Sequence, residues 1–271
     1  MYRHLSCGFR LLSLLLCCLV FFGCSAHGAR PEGAKAPTAT TTGDSVPVGR
    51  PTGGKRVALS YDDGPHAVQT VRIVDELNKY GFHATFFVVG NRVDGTEYNG
   101  ADALAYAVTA GNEIAIHGYT HRVTYDSCSE DVFRQEMNKT EQAIREVVPG
   151  YQGKLMRPVE GKITPQRVAT CPYSVMMWSV DSEDWCNKYY PGIPDEEADR
   201  RVNTTVENVM KEVSEGDIIL MHDIYESTYD ATVLLLARLA EEGYEVVTVS
   251  ELMGDLLKPG TRYYSLPVAV G

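Results

Sequence analysis

The stretch VALSYDDGP at residues 57–65 joins an apolar run to a polar turn. Its apolar half has the length and residue types of a buried strand, whereas Asp-Asp-Gly-Pro is typical of a loop. In parallel α/β proteins the functional side chains collect at the carboxyl ends of the strands. We therefore expect Asp62 and Asp63 to belong to a functional site.

The alternation of apolar runs with amphipathic segments continues along the chain. It predicts strands at Val57–Tyr61, Ala84–Val89, Ile114–Ile116, Leu155–Met156, Val175–Val180, Ile218–Met221 and Glu245–Val249. It predicts helices at Val71–Tyr80, Ala101–Ala110, Glu130–Val147, Glu197–Val213 and Val233–Glu242. Strands that alternate with helices form a parallel sheet with crossover connections. About seven such units in one α/β domain favour a closed or nearly closed (β/α) barrel, and an open sheet is the alternative.

The amino terminus has the pattern of an export signal. Arg3 and Arg10 precede an apolar run at residues 11–22, which is short for a membrane span, and small residues follow it. We interpret residues 1–24 as a signal peptide. Gly23-Cys24 also resembles a bacterial lipoprotein signal, so both ordinary cleavage and membrane attachment through a lipidated Cys24 remain open.

The rest of the chain divides by composition. Residues 25–54 are rich in Ala, Pro, Thr and Gly and predict a flexible linker. Residues 55–258 predict a single folded domain, and residues 259–271 a C-terminal tail. The cysteines left after the signal are Cys128, Cys171 and Cys186, an odd number without metal-type spacing. A disulfide between two of them is open, and the pattern does not select the pair.

The formal net charge of −11 argues against a nucleic-acid partner, because such partners require a basic patch. An acidic chain of this kind is compatible with a neutral glycan. We expect a monomer.

Polar clusters follow five of the predicted strands. Their sequences are SYDDGP at residues 60–65, HGYTH at 117–121, RPVEG at 157–161, DSEDW at 181–185 and HD at 222–223. In a β/α barrel all of these would meet on one face. This common placement is the main reason from the residues themselves to expect an active site.

Two histidines and a carboxylate among these clusters suit a metal ion. His117, His121 and Asp63 would supply three ligands and leave coordination positions open, as a catalytic rather than a structural zinc site requires. Asp62 would then be free to accept a proton from metal-bound water. We expect Zn²⁺, with Co²⁺ or another divalent cation as the alternative.

With LMH at residues 220–222 as the fifth motif, the set resembles that of carbohydrate esterase family 4, the NodB-homology polysaccharide deacetylases. The resemblance covers roughly residues 56–253. It implies a distorted (β/α) barrel and a catalytic domain over residues 55–258. It also implies hydrolysis of acetyl groups on a polysaccharide by attack of metal-bound water on the acetyl carbonyl.

The resemblance also implies a role for each matching residue. Asp62 matches the general base, and Arg157 the residue that orients it, for which we expect a bidentate contact. His222 matches the catalytic acid, supported by Asp184. The metal ligands are those proposed above, and the matching substrate-binding residues are Leu220, which lines the acetyl pocket, Trp185, which shields the acid, Glu160 and Tyr61.

Glu160 departs from the family pattern, which has an aromatic residue there. The resemblance implies that the backbone N–H at this position contacts the oxyanion, so the chemistry would survive while the glycan preference is open. Near the motifs, we interpret Asp181 as a strand cap and Asp223 as a solvated carboxylate. Tyr189, Tyr190, Tyr225 and Tyr229 are candidates for stacking on sugar rings.

The leading hypothesis is N-deacetylation of N-acetylglucosamine in peptidoglycan by an extracellular enzyme at the cell surface or cell wall. Chitin-oligosaccharide deacetylation and O-deacetylation of acetylated xylan are the enzymatic alternatives. A silent carbohydrate-binding module is the alternative from another functional class. The presence of a complete set of base, ligands and acid argues against that module.

Overall fold

The computed structural model describes residues 54–95 and 100–267. The predicted signal peptide, the lipidation site Cys24 and all but the last residue of the predicted linker lie outside the described residues. Within the described ranges, no helix has the length and apolar character that a membrane crossing would need. Cys128, Cys171 and Cys186 are all free thiols.

Strands of the described residues form one sheet in which every ladder is parallel. They are β1 (Lys55–Asp62), β2 (Thr85–Val88), β3 (Glu113–Ile116), β4 (Leu155–Met156), β5 (Ser174–Met176), β6 (Val180–Asp181), β7 (Ile218–His222), β8 (Tyr244–Val247) and β9 (Arg262–Tyr263). The order is β6-β7-β1-β2-β3-β4-β5-β9, and β8 pairs with the first half of β1. The central strand β1 therefore has neighbours along its whole length.

Helices occupy most of the connections between these strands. They are α1 (Gln69–Tyr80), α2 (Gly90–Val93), α3 (Ala101–Thr109), α4 (Glu130–Val147), α5 (Pro165–Thr170), α6 (Asp184–Asn187), α7 (Asp195–Met210), α8 (Glu226–Glu241) and α9 (Val249–Met253). Short 3-10 turns lie at Val159–Gly161 and Gly254–Leu256. The predicted α/β class and the distorted single-domain barrel are confirmed.

The sheet must curl, because a very short connection joins two strands that lie near its opposite ends. The sequence predicted one strand at Val175–Val180, but the structure divides it into β5 and β6, which lie near opposite ends of the sheet order. Met176 and Val180 are four positions apart, and an extended chain of that length spans at most about 14 Å. Residues 177–179 therefore hold the two ends of the sheet close together, and the N–H of Ser179 donates to Ile218 of β7.

The carboxyl-terminal segment closes the same gap. Residues predicted as a tail after position 258 instead supply β9, which pairs with β5. Ser265 then bridges Asp217, and the N–H of Leu266 donates to the carbonyl of Gly216, 2.8 Å away, just before β7. The folded domain thus extends beyond the predicted boundary at 258, because its last strand joins the two ends of the curled sheet.

Alternate residues of each strand face two different apolar layers, as the two-residue period of a strand requires. One layer lies between the sheet and the helices and contains Val57, Leu59 and Tyr61 of β1. The other fills the barrel with one residue from each of seven strands: Ala58, Phe87, Ala115, Leu155, Met176, Ile218 and Val247. Residues of the second parity point into the barrel, and those at the carboxyl end of a strand reach its mouth.

Helix α8 begins earlier than the predicted helix Val233–Glu242. It starts at Glu226, and its first two turns bury Ser227, Thr228 and Thr232. Hydroxyl groups give no apolar periodicity, so the sequence pattern could not show these turns.

Deleting residues 259–271 should destabilise the domain, because it removes the β5–β9 ladder and the bonds to Gly216 and Asp217. We expect a loss of at least about 2 kcal/mol in the free energy of unfolding, from several hydrogen bonds of about 1 kcal/mol each. Urea denaturation measures it, with deletion of residues 268–271 alone as the control. Equal stability of the two truncated proteins would contradict this role of the segment.

Candidate active site

Three side chains with metal-ligating atoms converge at the mouth of the barrel. Asp63 follows β1, and His117 and His121 follow β3; their ligand atoms all lie within 4.8 Å of one another. Oδ1 of Asp63 is 2.9 Å from Nε2 of His121 and 3.4 Å from Nε2 of His117. Ligands of a tetrahedral zinc, each about 2.0–2.1 Å from the ion, lie about 3.3 Å apart, so these spacings suit one cation.

The donor set itself fits a divalent cation. Oδ1 of Asp63 is buried and has no hydrogen-bond partner of acceptable geometry among the described residues. Burial alone would raise the pKa of Asp63, but the neighbouring His117 and His121 hold this pKa well below its usual value. The carboxylate therefore keeps its charge and offers a lone pair toward two imidazole nitrogens.

Hydrogen bonding fixes the tautomer of His117. Its Nδ1 lies 2.9 Å from the carbonyl oxygen of Arg157, and because a carbonyl only accepts, Nδ1 carries the proton. Nε2 is the ring atom that faces Asp63 and could coordinate a cation. A second bond of this kind, which orients a ligating histidine, is typical of metal sites.

The backbone is strained at both edges of the triad. Asp63 has φ 76 and His121 has φ 54, both in the left-handed region that non-glycine residues seldom adopt. Such conformations persist only where the surrounding structure imposes them, and they cluster at functional sites.

Asp62 lies beside the triad and is held by a buried arginine. Its Oδ1 accepts a 2.7 Å hydrogen bond from Nη1 of Arg157, and its Oδ2 lies 3.6 Å from Nε2 of His117. The bidentate contact predicted for Arg157 is wrong. Its Nε and Nη2 donate instead to the carbonyls of Met176 and Met177, at 3.2 and 3.0 Å. Arg157 is fully buried, and its bonds join Asp62 to the end of β5 and to the residue that follows it.

His222 and Asp184 form a second pair at the mouth, where His222 on β7 is the register partner of Asp62 on β1. Oδ1 of Asp184 is 2.8 Å from Nδ1 of His222, and Oδ2 accepts from the N–H of His222 and from the hydroxyl of Thr228. Burial lowers the pKa of His222, but the charge of Asp184 and its hydrogen bond outweigh burial and raise this pKa to about 10. The imidazole is therefore protonated at neutral pH, with Nε2 directed away from its partner.

The four residues predicted to contact the substrate differ in position and exposure. Leu220 lies on β7 with the same parity as His222, and Trp185 is 44% exposed. Glu160 has φ 55 and an exposed side chain paired with Lys162. The prediction for Tyr61 is wrong. Its side chain is fully buried against Phe86, and its hydroxyl lies 3.0 Å from that of Thr232, so it cannot contact a substrate.

The tyrosines near the motifs differ in their surroundings. The ring of Tyr225 lies 6.3 Å from that of His222, and Tyr190 is 64% exposed. Tyr189 is hydrogen-bonded to Asp230, and Tyr229 lies under the guanidinium of Arg72. Of these four, Tyr225 and Tyr190 remain candidates for stacking on a sugar.

Aspartates adjacent to the motifs serve the scaffold. Asp181 accepts from the N–H of Glu183 at 2.9 Å, which is the predicted cap. Asp223 is not solvated as predicted but fully buried. Burial raises its pKa to about 7, and its carboxylate accepts from Thr70. It lies flat against Gly64, where a Cβ would be 2.3 Å from its oxygens, so the loop after Asp63 requires glycine there.

Sequence reasoning missed two supporting residues. Thr228 bonds Asp184 but gives no motif of its own. Glu136 of α4 is buried and accepts from the N–H groups of Tyr119 and Thr120, between the two histidine ligands. Its sequence signal was its spacing: Glu136 follows Phe133 and precedes Met137 and Thr140 on the core-facing side of the helix, where a carboxylate is unusual.

The chain matches known proteins over most of the described domain. The family model described as polysaccharide deacetylase matches residues 49–171. A peptidoglycan-N-acetylmuramic acid deacetylase, PdaC of Bacillus subtilis, is 36% identical over 73% of this chain and 38% of the relative. A peptidoglycan-N-acetylglucosamine deacetylase, PgdA of Listeria monocytogenes, is 31% identical over 78% of this chain and 41% of the relative. The chain thus spans about two fifths of the length of these two relatives.

Other relatives match over nearly their whole length. A peptidoglycan-N-acetylglucosamine deacetylase of Bacillus cereus is 30% identical over 75% of this chain and 90% of the relative. Among solved structures, a family 4 acetyl xylan esterase from Clostridium thermocellum with a cobalt ion has a TM-score of 0.67 at 29% identity, over 79% of this chain and 100% of that chain.

His117→Ala and His121→Ala should each lose bound metal, whereas Asp62→Asn should keep it, because Asp62 lies outside the triad. Metal content after dialysis against a weak chelator measures both effects. Release of the metal from Asp62→Asn would show that Asp62 and Asp63 have been assigned the wrong roles.

Asp184→Asn should lower the pKa of His222 by more than about one unit, a loss of about 1.4 kcal/mol in the preference for the charged imidazole. The sign follows from the causes: burial, which lowers this pKa, remains, whereas the carboxylate that raises it is gone. Titration of the imidazole by NMR measures the shift, with the exposed carboxylate variant Asp255→Asn as the control. An unchanged pKa would rule out Asp184 as the cause.

Proposed function

This chain belongs to the polysaccharide deacetylase family, and from that premise we propose that it removes N-acetyl groups from N-acetylglucosamine in peptidoglycan. One observation carries the proposal. The Asp63–His117–His121 triad, the Arg157-bound Asp62 and the Asp184-bound His222 all meet at the mouth of one barrel. A hydrolase of an acetamide needs a carbonyl activator, a base and an acid, and these three groups can supply them.

Asp63, His117 and His121 would hold the divalent cation, with zinc as the expected ion. When bound, such an ion supplies Lewis-acid polarisation of the acetyl carbonyl and lowers the pKa of a coordinated water. Co²⁺ or another divalent cation is the alternative, and cobalt is the ion named for the related acetyl xylan esterase.

Asp62 is proposed as the general base. Its Oδ1 is occupied by Arg157, so Oδ2 is the atom that accepts the proton of the attacking water. Oδ2 lies on the side of the triad, 3.6 Å from Nε2 of His117. Arg157 holds the carboxylate in this orientation and does not touch the reacting atoms.

His222 is proposed as the general acid. Asp184 occupies Nδ1, so Nε2 is the atom that donates a proton to the leaving amine nitrogen. The charge of Asp184 and its hydrogen bond raise the pKa of this imidazole and favour its protonated form at neutral pH. After the C–N bond breaks, the acetate leaves and the sugar keeps a free amino group.

The remaining contacts complete the proposed pocket. The backbone N–H of Glu160 would donate to the oxyanion, while its exposed side chain pairs with Lys162. Leu220 would line the space for the acetyl methyl group. Trp185 and Tyr225 would lie along the sugar, because aromatic rings beside a catalytic acid suit the apolar face of a pyranose.

The named activities of the relatives support peptidoglycan as the substrate. PdaC and PgdA are named for different sugars of this polymer, N-acetylmuramic acid and N-acetylglucosamine. We propose N-acetylglucosamine, with chitin oligosaccharides and O-acetylated xylan as the enzymatic alternatives. The assembled base, ligands and acid argue against a silent binding module. We further propose that the enzyme acts as a monomer at the cell surface or wall, after export and with Cys24 as a candidate anchor.

Acetate release should be fastest from peptidoglycan, slower from chitin oligosaccharides and slowest from acetylated xylan, and a chelator should abolish all three. Asp62→Asn should lower turnover at least about a hundredfold with the metal retained, because it removes the proton acceptor. Faster release from xylan than from either amide substrate would replace the proposed N-deacetylase with an esterase.

A further inference from the structure

We propose that Glu136 is a positioning residue that sets the metal affinity of the triad by holding the loop between its two histidines. Its Oε2 accepts from the N–H of Tyr119 at 2.8 Å and from the N–H of Thr120 at 2.9 Å. Its Oε1 accepts from the hydroxyl of Thr120 at 2.9 Å. One carboxylate therefore binds three donors of the segment that separates His117 from His121.

Glu136 depends on these hydrogen bonds, because they offset the free-energy cost of burying its carboxylate. The residue is 7% exposed and lies on the face of α4 that packs against the core. Within residues 54–95 and 100–267 it forms no ion pair with a cation. A buried carboxylate without a counter-charge needs strong donors, and the loop N–H groups and the Thr120 hydroxyl supply them.

The loop is held from its other side as well. The carbonyls of Gly118 and Tyr119 accept from the N–H groups of Gly90 and Asn91 at 2.9 and 3.0 Å, at the start of α2. Its N–H groups bond Glu136 and its carbonyls bond α2, so the segment is fixed between two helices. Neither helix carries a residue of the five motifs.

The loop requires such support because its conformation is unfavourable by itself. His121 has φ 54 and Gly118 has φ 96. A Cβ at Gly118 would lie 2.1 Å from the hydroxyl of Tyr125, so no other residue fits there without displacement. Without Glu136, Tyr119 and Thr120 would lose three bonds and His121 would relax away from Asp63. The three ligands would then no longer be arranged before the ion arrives.

This inference rests on the metal site of the proposed function but not on any substrate. The measured quantity is therefore the dissociation constant for Zn²⁺, obtained by competition with a chromophoric chelator. Glu136→Ala should weaken zinc binding roughly 10- to 100-fold, the range typical for outer partners of metal ligands. Glu136→Gln should restore most of the affinity, because its amide oxygen can still accept from the two N–H groups.

A matched control lies on the same helix. Glu141 accepts from Arg145, from the N–H of Gly153 and from the hydroxyl of Tyr173, none of which belongs to the ligand loop. Glu141→Ala should lower thermal stability and leave the zinc affinity unchanged. If Glu136→Ala fails to fold, Glu136→Asp decides, since its shorter carboxylate is withdrawn from the loop and should also weaken binding.

Activity provides a second readout. Saturating zinc should return the turnover of Glu136→Ala toward the wild-type value, because the residue acts through the metal, whereas no zinc concentration should rescue Asp62→Asn. Wild-type zinc affinity in folded Glu136→Ala, or in Glu136→Asp where the alanine variant does not fold, would overturn the inference. Inactivity of every variant and the wild type on all glycans, with these affinities as expected, would overturn the proposed function alone.

Discussion

A single buried cation, the guanidinium of Arg157, holds together the parts on which the rest of the structure depends. It is fully buried between Phe87 and Trp178, 4.1 and 5.7 Å from their ring centres. Its three bonds join the end of β4 to Asp62 on β1, to the end of β5 and to the first residue of the connection between β5 and β6. Removing one partner of a buried ion pair costs about 3–5 kcal/mol, because the other charge is left without compensation. The orientation of Asp62 and the closure of the barrel therefore depend on the same side chain.

The periodicity of the strands explains how much of the site the sequence could predict. Asp62, His117, Arg157 and His222 each have the parity of a residue that fills the barrel, and each ends a strand or directly follows one. Motif and strand end were enough to find them. Tyr61 was wrongly assigned because the same rule was not applied to it: with Val57 and Leu59 it faces the helices. The alternation that places the side chain of Asp62 at the mouth directs the side chain of Tyr61 toward the helices.

What the sequence could not predict depends on contacts between distant segments. The split of Val175–Val180 follows from barrel closure, and a continuous apolar run gives no sign of it. The three separate acceptors of Arg157 could not be predicted, because two of them are backbone carbonyls, those of Met176 and Met177, which only the fold brings to it. The sequence around Asp223 predicts a solvated carboxylate, yet the loop of Gly64 and helix α1 cover it. Each of these is decided by packing that only the folded chain provides.

The pairing of β1 has a consequence for the order in which the chain can fold. The hydroxyl of Ser60 donates to Ile219, 159 positions later, and β8 completes the other half of the same strand. During synthesis both edges of β1 are therefore covered only after nearly the whole domain has been made. The strand that closes the barrel, β9, is made last. Folds dominated by such distant pairings form slowly and expose unpaired strand edges meanwhile. A nascent chain of this protein would accordingly remain unfolded long enough to be recognised by holding chaperones before its barrel could close.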